Sequence, residues 1–452
     1  MVQGPMLLMI LILGIVLIIL MISKFKIHPF ISLLLVAYGI ALAARMPLGD
    51  ISKTVGDGFG SLLGGIGIVI VLGTIIGTIL EKSGGALKMA DVVIRIVGKK
   101  RPTLAMAIIG YIVSIPVFCD SGFVILNSLR KSLQKRTKAS SIAMTVALAT
   151  GLYATHTLVP PTPGPIAAAA NLGMEKNLLL IIIFGLIIAI PAMLAGYLYA
   201  RWIGKRLETP EDIEESIESY EDLLKKYGRL PSAWMSFAPI VVPILLMALG
   251  SIAKFPGDPF GAGTVKAVLT FLGTPVNALF IGFFFSLLLL PKLNEETLTD
   301  WVSESLKSAA IILLVTGAGG ALGAVLKATK IGDYLGQSLS GWNLGIFLPF
   351  IVAAALKTAQ GSSTVALVTT SSLLAPLLPA LGFQSDIART LVVMAVGAGA
   401  MTVSHANDSF FWVVSQFGNM KVNDAYKAQT IATLIQGIVT IAFIAVLSWL
   451  LI

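Results

Sequence analysis

Long unbroken apolar runs, each closed by a few polar, glycine or proline residues, recur from one end of the chain to the other. Residues 6–22, 29–44, 178–200 and 430–452 are the clearest. Each has roughly the 20 residues that a membrane-spanning helix needs. The runs are continuous rather than alternating, which excludes a transmembrane β-barrel. No basic residue precedes the first run and no small-residue cleavage site follows it, so it reads as a first span rather than a signal peptide.

Two apolar segments, 104–118 and 123–133, are too short for a full crossing. Lys99, Lys100 and Arg101 precede them, and Arg130, Lys131, Lys135, Arg136 and Lys138 follow. Basic clusters on both flanks place the two ends on one side of the membrane. The spacing therefore predicts a re-entrant helical hairpin over 104–134, its tip at "SIPVFCDSGF". A plain bundle of twelve spans without hairpins is the competing reading. The two halves also resemble each other. "GTIIGTIL" (73–80) matches "GGALGAVL" (319–326), "GLYATH" (151–156) matches "AMTVSH" (400–405), and "CDSGFVIL" (119–126) loosely matches "QGSSTVAL" (360–367). Weak internal symmetry of this kind marks transporter repeats.

The expected architecture is an all-α polytopic membrane protein of two inverted-topology repeats, 1–200 and 232–452. Each holds a re-entrant hairpin and a broken span, the second hairpin near 344–380. The polar segment 201–231 would join them as a solvated cytoplasmic linker carrying a short surface helix. With an external N-terminus, most of the 32 Lys and Arg fall on the cytoplasmic side of a prokaryotic inner membrane.

Composition agrees. Hydrophobic residues make up 56% and charged residues 12%, against about 25% charged in soluble domains. The formal charge of +9 belongs to short loops and gives no reason to expect nucleic acid as a partner. One cysteine allows no intrachain disulfide, and three histidines support no metal site or cofactor. No phosphate-binding loop or nucleophile elbow stands out.

Ionisable groups at membrane depth cost about 2.5–3.5 kcal/mol each, so they direct attention to function. Asp120 lies at the first hairpin tip with Ser121 and Gly122; it reads either as a helix N-cap or as a protonatable carboxylate. "THTLVPPTPGP" (155–165) cannot continue a helix. It ends a span either at the surface or at depth, and His156 before it is either a satisfied core histidine or a substrate or proton ligand. "LKTAQGSST" is the second tip, where Gly361 permits a tight turn and Ser362, Ser363 and Thr364 offer hydroxyls. Lys357 there either snorkels to the surface or pairs with Asp120, Asp408 or an anionic substrate. In "SHANDSFF", His405 and Asp408 would share a face if helical, with Asn407 between them; a self-satisfied polar knot is the alternative. The glycine run 317–323 reads as close helix packing.

At these residues the chain resembles the gluconate permease family, the gluconate:proton symporters, which also carry related sugar acids and D-serine. The similarity runs almost end to end: "KFKIHPF", "CDSGF", "TH" before a double proline, "TGAGGALG", "QGSSTVA" and "SHANDSFFW", in that order. The resemblance implies secondary active uptake of a small hydroxylated monocarboxylate with protons, in a fold of paired hairpins. It implies substrate contacts from Ser121, Gly122, His156, Thr162, Gly361, Ser362, Ser363, Thr364, His405 and Asn407. Proton coupling would fall to Asp120 and Asp408, with Lys357 as charge partner. Thr162 stands where the family usually has histidine, Ser363 where it has alanine, and Ser409 where many members have glycine. Sodium coupling, a D-amino-acid substrate, a channel, and an intramembrane hydrolase built on Ser404, His405 and Asp408 are the other readings. Partners would be the lipid bilayer, protons and the carboxylate; a homo-oligomer is left open.

Overall fold

The computed structural model describes residues 5–97, 101–212, 230–253, 259–261, 263–329, 344–406 and 408–452. All regular elements among them are helical. The first half contains α1 (Pro5–Ser23), α2 (Pro29–Ala43), α3 (Leu48–Lys82), α4 (Gly85–Val97), α5 (Pro102–Val113), α6 (Cys119–Thr137), α7 (Ser141–Leu158), α8 (Pro163–Asn171) and α9 (Leu178–Ile203). The second contains α10 (Ala233–Ile252), α11 (Thr264–Leu272), α12 (Pro275–Leu287), α13 (Trp301–Ala328), α14 (Phe347–Gln360), α15 (Ser363–Leu374), α16 (Asp386–Met401), α17 (Ser409–Phe417) and α18 (Ile431–Leu451). Five described stretches are long and apolar enough to cross a bilayer, and two bent pairs raise that to seven.

The halves repeat each other in packing. Helix α5 lies on α7 as α14 lies on α16, and α7 on α9 as α16 on α18. Helix α12 packs on α3 as α2 packs on α13, and α3 and α13 run against each other through the middle. Local chemistry fixes the breaks. Pro102 opens α5 at a position that needs no amide, and the side chains of Ser140, Ser362 and Ser385 cap α7, α15 and α16. The first arm of each hairpin is short: α5, with 12 residues, spans about 18 Å at 1.5 Å per residue, and α14, with 14, about 21 Å. Both are well under the ~30 Å apolar thickness of a bilayer, so α5–α6 and α14–α15 are hairpins rather than paired full crossings.

Small residues bring the helices close. A Cβ on Gly151 would sit 2.2 Å from the Ala107 carbonyl oxygen, and one on Gly399 2.4 Å from that of Phe350. These are equivalent crossings in the two halves. Gly320 meets the Gly58 backbone, in keeping with the packing expected of the 317–323 run.

The linker corrects one expectation. Its central residues, 213–229, with the surface helix expected there, lie outside the described residues. Its beginning is exposed over much of 201–210 but turns inward at Thr209 and Glu211. Glu211 is 4% exposed and accepts from Arg130 Nη2 (2.7 Å) and Ser141 Oγ (2.7 Å). Arg130, fully buried, also donates to Asn127 and Ser141, and Asp212 accepts the Ser141 amide. The linker thus clasps the end of the first hairpin to the start of α7. Burial alone would push the Glu211 carboxyl up, but the Arg130 guanidinium and the Ser141 hydroxyl outweigh it and hold the group below its ordinary value. A depressed carboxyl stabilises the fold fully above its unfolded pKa, about 4.3, and loses that contribution as pH falls through the lower folded value. Glu211→Gln strands Arg130 and is expected to cost about 3–5 kcal/mol. The check is thermal melting in detergent: a lower Tm at neutral pH, with the gap to wild type closing in acid.

Candidate functional site

Four irregular segments meet at the centre, and they meet crosswise. The first hairpin tip (114–118) leads into α6, which packs on α17 beyond the second broken span. The second tip (361–362) leads into α15, which packs on α8 beyond the first. Phe123 of α6 meets Phe410 of α17 edge-on at 6.2 Å, and Gly164 of α8 lies against Thr364 and Leu367 of α15. The chain therefore joins each hairpin to the break of the other half.

Lys357 does not snorkel. It is completely buried, and its Nζ donates to Asp408 Oδ2 (2.7 Å) and to the Gly361 carbonyl (2.5 Å). Gly361 allows this because it ends α14 with φ +89°, a left-handed conformation that favours glycine. Asp408 Oδ2 also accepts from Ser404 Oγ (2.5 Å) and, more loosely, Tyr153 (3.4 Å), while Oδ1 caps α17 through the Phe410 amide (3.0 Å). The ammonium lies 5.9 Å from the Tyr153 ring centroid.

Asp120 is not the N-cap; Phe118 holds that position and Asp120 lies in the first turn of α6. Its Oδ1 is sealed from solvent without a hydrogen bond, while the Cys119 Sγ lies 3.5 Å from Oδ2. Ser409 lies beside this carboxylate and Asp408 is within electrostatic reach. Buried polar atoms left without partners are rare, and this one points to a proton, water or ligand. His156, in the last turn of α7, stacks on Tyr153 (6.4 Å, 7°), and its Nδ1 is likewise unpartnered. Ser363 lies beside the Tyr153 hydroxyl, and Ser121 beside Glu81.

Other expected contacts have local duties. The Thr162 hydroxyl donates to the carbonyls of His156 and Val159, closing the end of α7. Gly122 packs under Leu152, and Ser362 caps α15. Residues 402–406 and 408 are not helical, so His405 and Asp408 do not share a helix face. Instead His405 Nε2 lies 2.9 Å from the Thr358 carbonyl oxygen. Ser404 donates directly to Asp408, so the three residues form no serine–histidine relay. Asn407 lies outside the described residues.

Three contributors went unread in the sequence. Tyr153 sits one turn before His156, an i,i+3 polar pair that could have signalled it. Gly73 and Gly77 of α3 admit the carbonyls of Pro161 and Pro116, which a Cβ at either position would strike, so one helix holds both the first break and the first tip.

The fold is all-helical among the described residues and multi-pass, with a charged pair buried at the junction of broken helices. A family description, GntP family permease, matches residues 6–451. The chain belongs to this family of permeases. It is 35% identical over 453 residues to a gluconate permease of Zymomonas mobilis, covering 98% of this chain and 97% of that one. It is 32% identical to the D-serine transporter DsdX of Escherichia coli, with 98% of each covered. Among solved structures, MtrF of Neisseria gonorrhoeae, from a class of antimetabolite efflux pumps, shares the fold, with a TM-score of 0.66 at 16% identity over 95% and 96% of the two chains.

Proposed function

We propose that the protein imports a small hydroxylated monocarboxylate, gluconate or a related sugar acid, by proton symport across the bacterial inner membrane. The buried Lys357–Asp408 pair carries this reading. A monocarboxylate arriving at this junction needs a cation, and Lys357 can supply one only by leaving Asp408. An abandoned, desolvated carboxylate is costly, so Asp408 must then take a proton. Proton and substrate carboxylate thus replace one internal ion pair together, and neither binds well alone. Ser121, Ser363 and Thr364, with the first-turn amides of α6 and α15, would receive the substrate's hydroxyls and carboxylate. The topology that goes with this has an external N-terminus, a cytoplasmic linker, and repeats 1–200 and 232–452 in opposite orientation.

The charges of a monoanion and one proton cancel. The membrane potential, worth about 2.3 kcal/mol per charge per 100 mV, then does no work, and the pH gradient drives uptake. The open Oδ1 of Asp120 favours one second reading, a zwitterion such as D-serine whose ammonium pairs there. Counterflow in proteoliposomes discriminates. Labelled gluconate should exchange saturably into vesicles preloaded with gluconate, glycerate or idonate, with D-serine competing poorly. Exchange of D-serine alone would overturn the sugar-acid reading.

A further inference from the structure

Away from Asp408, a cavity of about 880 Å³ opens between the glycine-rich faces of α3 and α13 and the far ends of α8 and α15. Helix α15 connects it to the site: Ser363 stands beside Tyr153, and Ser372 lines the cavity, about 14 Å along at 1.5 Å per residue. Between them, the hydroxyls of Thr369 and Thr370 are sealed from solvent without hydrogen bonds.

Three charged side chains line the cavity: Glu175, Lys327 and Arg389. Arg389, in the first turn of α16, has its Nε buried and unpartnered. It makes no ion pair among the described residues, not even with Glu175. Gly173, at φ +76°, makes room for it; a Cβ there would come within 3.0 Å of Arg389 Nη1. A guanidinium held in a cavity wall with no carboxylate of its own is shaped for one from outside, which it binds through a two-pronged fork. Two cations against one anion also leave the cavity positive, and a low-dielectric wall focuses such a field.

We propose that this cavity is a vestibule that captures carboxylate anions, with Arg389 as the docking cation and Lys327 reinforcing the field, before they move along α15 to Lys357. The substrate's identity rests on the sugar-acid reading above; the sign of the vestibule does not.

Ser61 lines the cavity and is exposed, whereas the native Cys119 is buried, so Ser61→Cys offers a reporter thiol. Its reaction with anionic and cationic methanethiosulfonates should favour the anionic reagent, and Arg389→Gln should cut that preference about tenfold. Glu175→Gln should raise the preference, and millimolar gluconate should protect the thiol. In uptake assays Arg389→Gln should raise KM about tenfold with kcat retained, less so in high salt, with partial rescue by Arg389→Lys. Should Arg389→Gln fail to fold, Lys327→Gln, at an exposed position, gives the same test with a smaller shift. A reagent preference indifferent to Arg389, Lys327 and Glu175, or a fall in kcat at constant KM, would overturn the proposal. If wild type transports no gluconate while the preference still follows Arg389, the vestibule stands and the sugar-acid reading falls.

Discussion

Asp408→Asn is expected to abolish proton-driven accumulation of substrate while leaving measurable substrate binding. Asparagine has the same shape and caps a helix about as well as aspartate, so the Phe410 amide keeps its partner and α17 keeps its start. What disappears is the charge. Lys357 retains the Gly361 carbonyl but loses its counter-ion in a fully buried position, a penalty of about 3–5 kcal/mol. Its ammonium is then permanently free for a carboxylate, and no proton is required to release it. Substrate exchange across the membrane should persist, uncoupled from pH. The comparison is uptake against a concentration gradient and counterflow in the same proteoliposomes. Accumulation at the wild-type level would remove Asp408 from the coupling.

Lys357→Met should be more damaging still. It strands Asp408 and deletes the cation assigned to the substrate carboxylate. Losing a charge-assisted, desolvated contact of about 3 kcal/mol corresponds to a hundredfold or greater loss of affinity. Arginine is not expected to rescue it, because a planar fork does not fit the pocket that Gly361, Asp408 and the Tyr153 ring form around a compact ammonium. A double variant separates structure from function. Lys357→Met with Asp408→Leu exchanges the buried pair for apolar volume, which is often neutral or stabilising, so Tm should return towards wild type. Transport should not return. A double variant that still accumulates substrate would reduce the pair to a structural element.

Much of the architecture was legible because its signals are local. Basic clusters flanking two short apolar segments marked the first hairpin, and four prolines within 160–165 marked the first broken span. Asp120, Lys357 and Asp408 stood out because charges at membrane depth are expensive. What escaped is non-local. Arg130 and Glu211 lie 81 positions apart, and nothing in either neighbourhood announces the bond. Tyr153 carried one local signal, its i,i+3 spacing from His156, but its approach to Asp408, 255 positions away, belongs to the folded chain. The glycines at 73 and 77 were visible as half of a repeat, but their packing against a proline break and a hairpin tip belongs to the folded chain. His405 and Asp408, which would share a face if helical, do not, because the Asp408 side chain competes for the backbone and caps α17. Thr162, a candidate for substrate contact, spends its hydroxyl on neighbouring carbonyls.

The exchange of one internal ion pair for one proton and one carboxylate is tested most directly by gluconate uptake into proteoliposomes under an imposed pH gradient, with the membrane potential clamped at zero and sodium absent. Uphill accumulation is expected, one proton entering per gluconate, unchanged when a potential of either sign is added. Uptake that ignores the pH gradient, or that appears only with sodium, would contradict it.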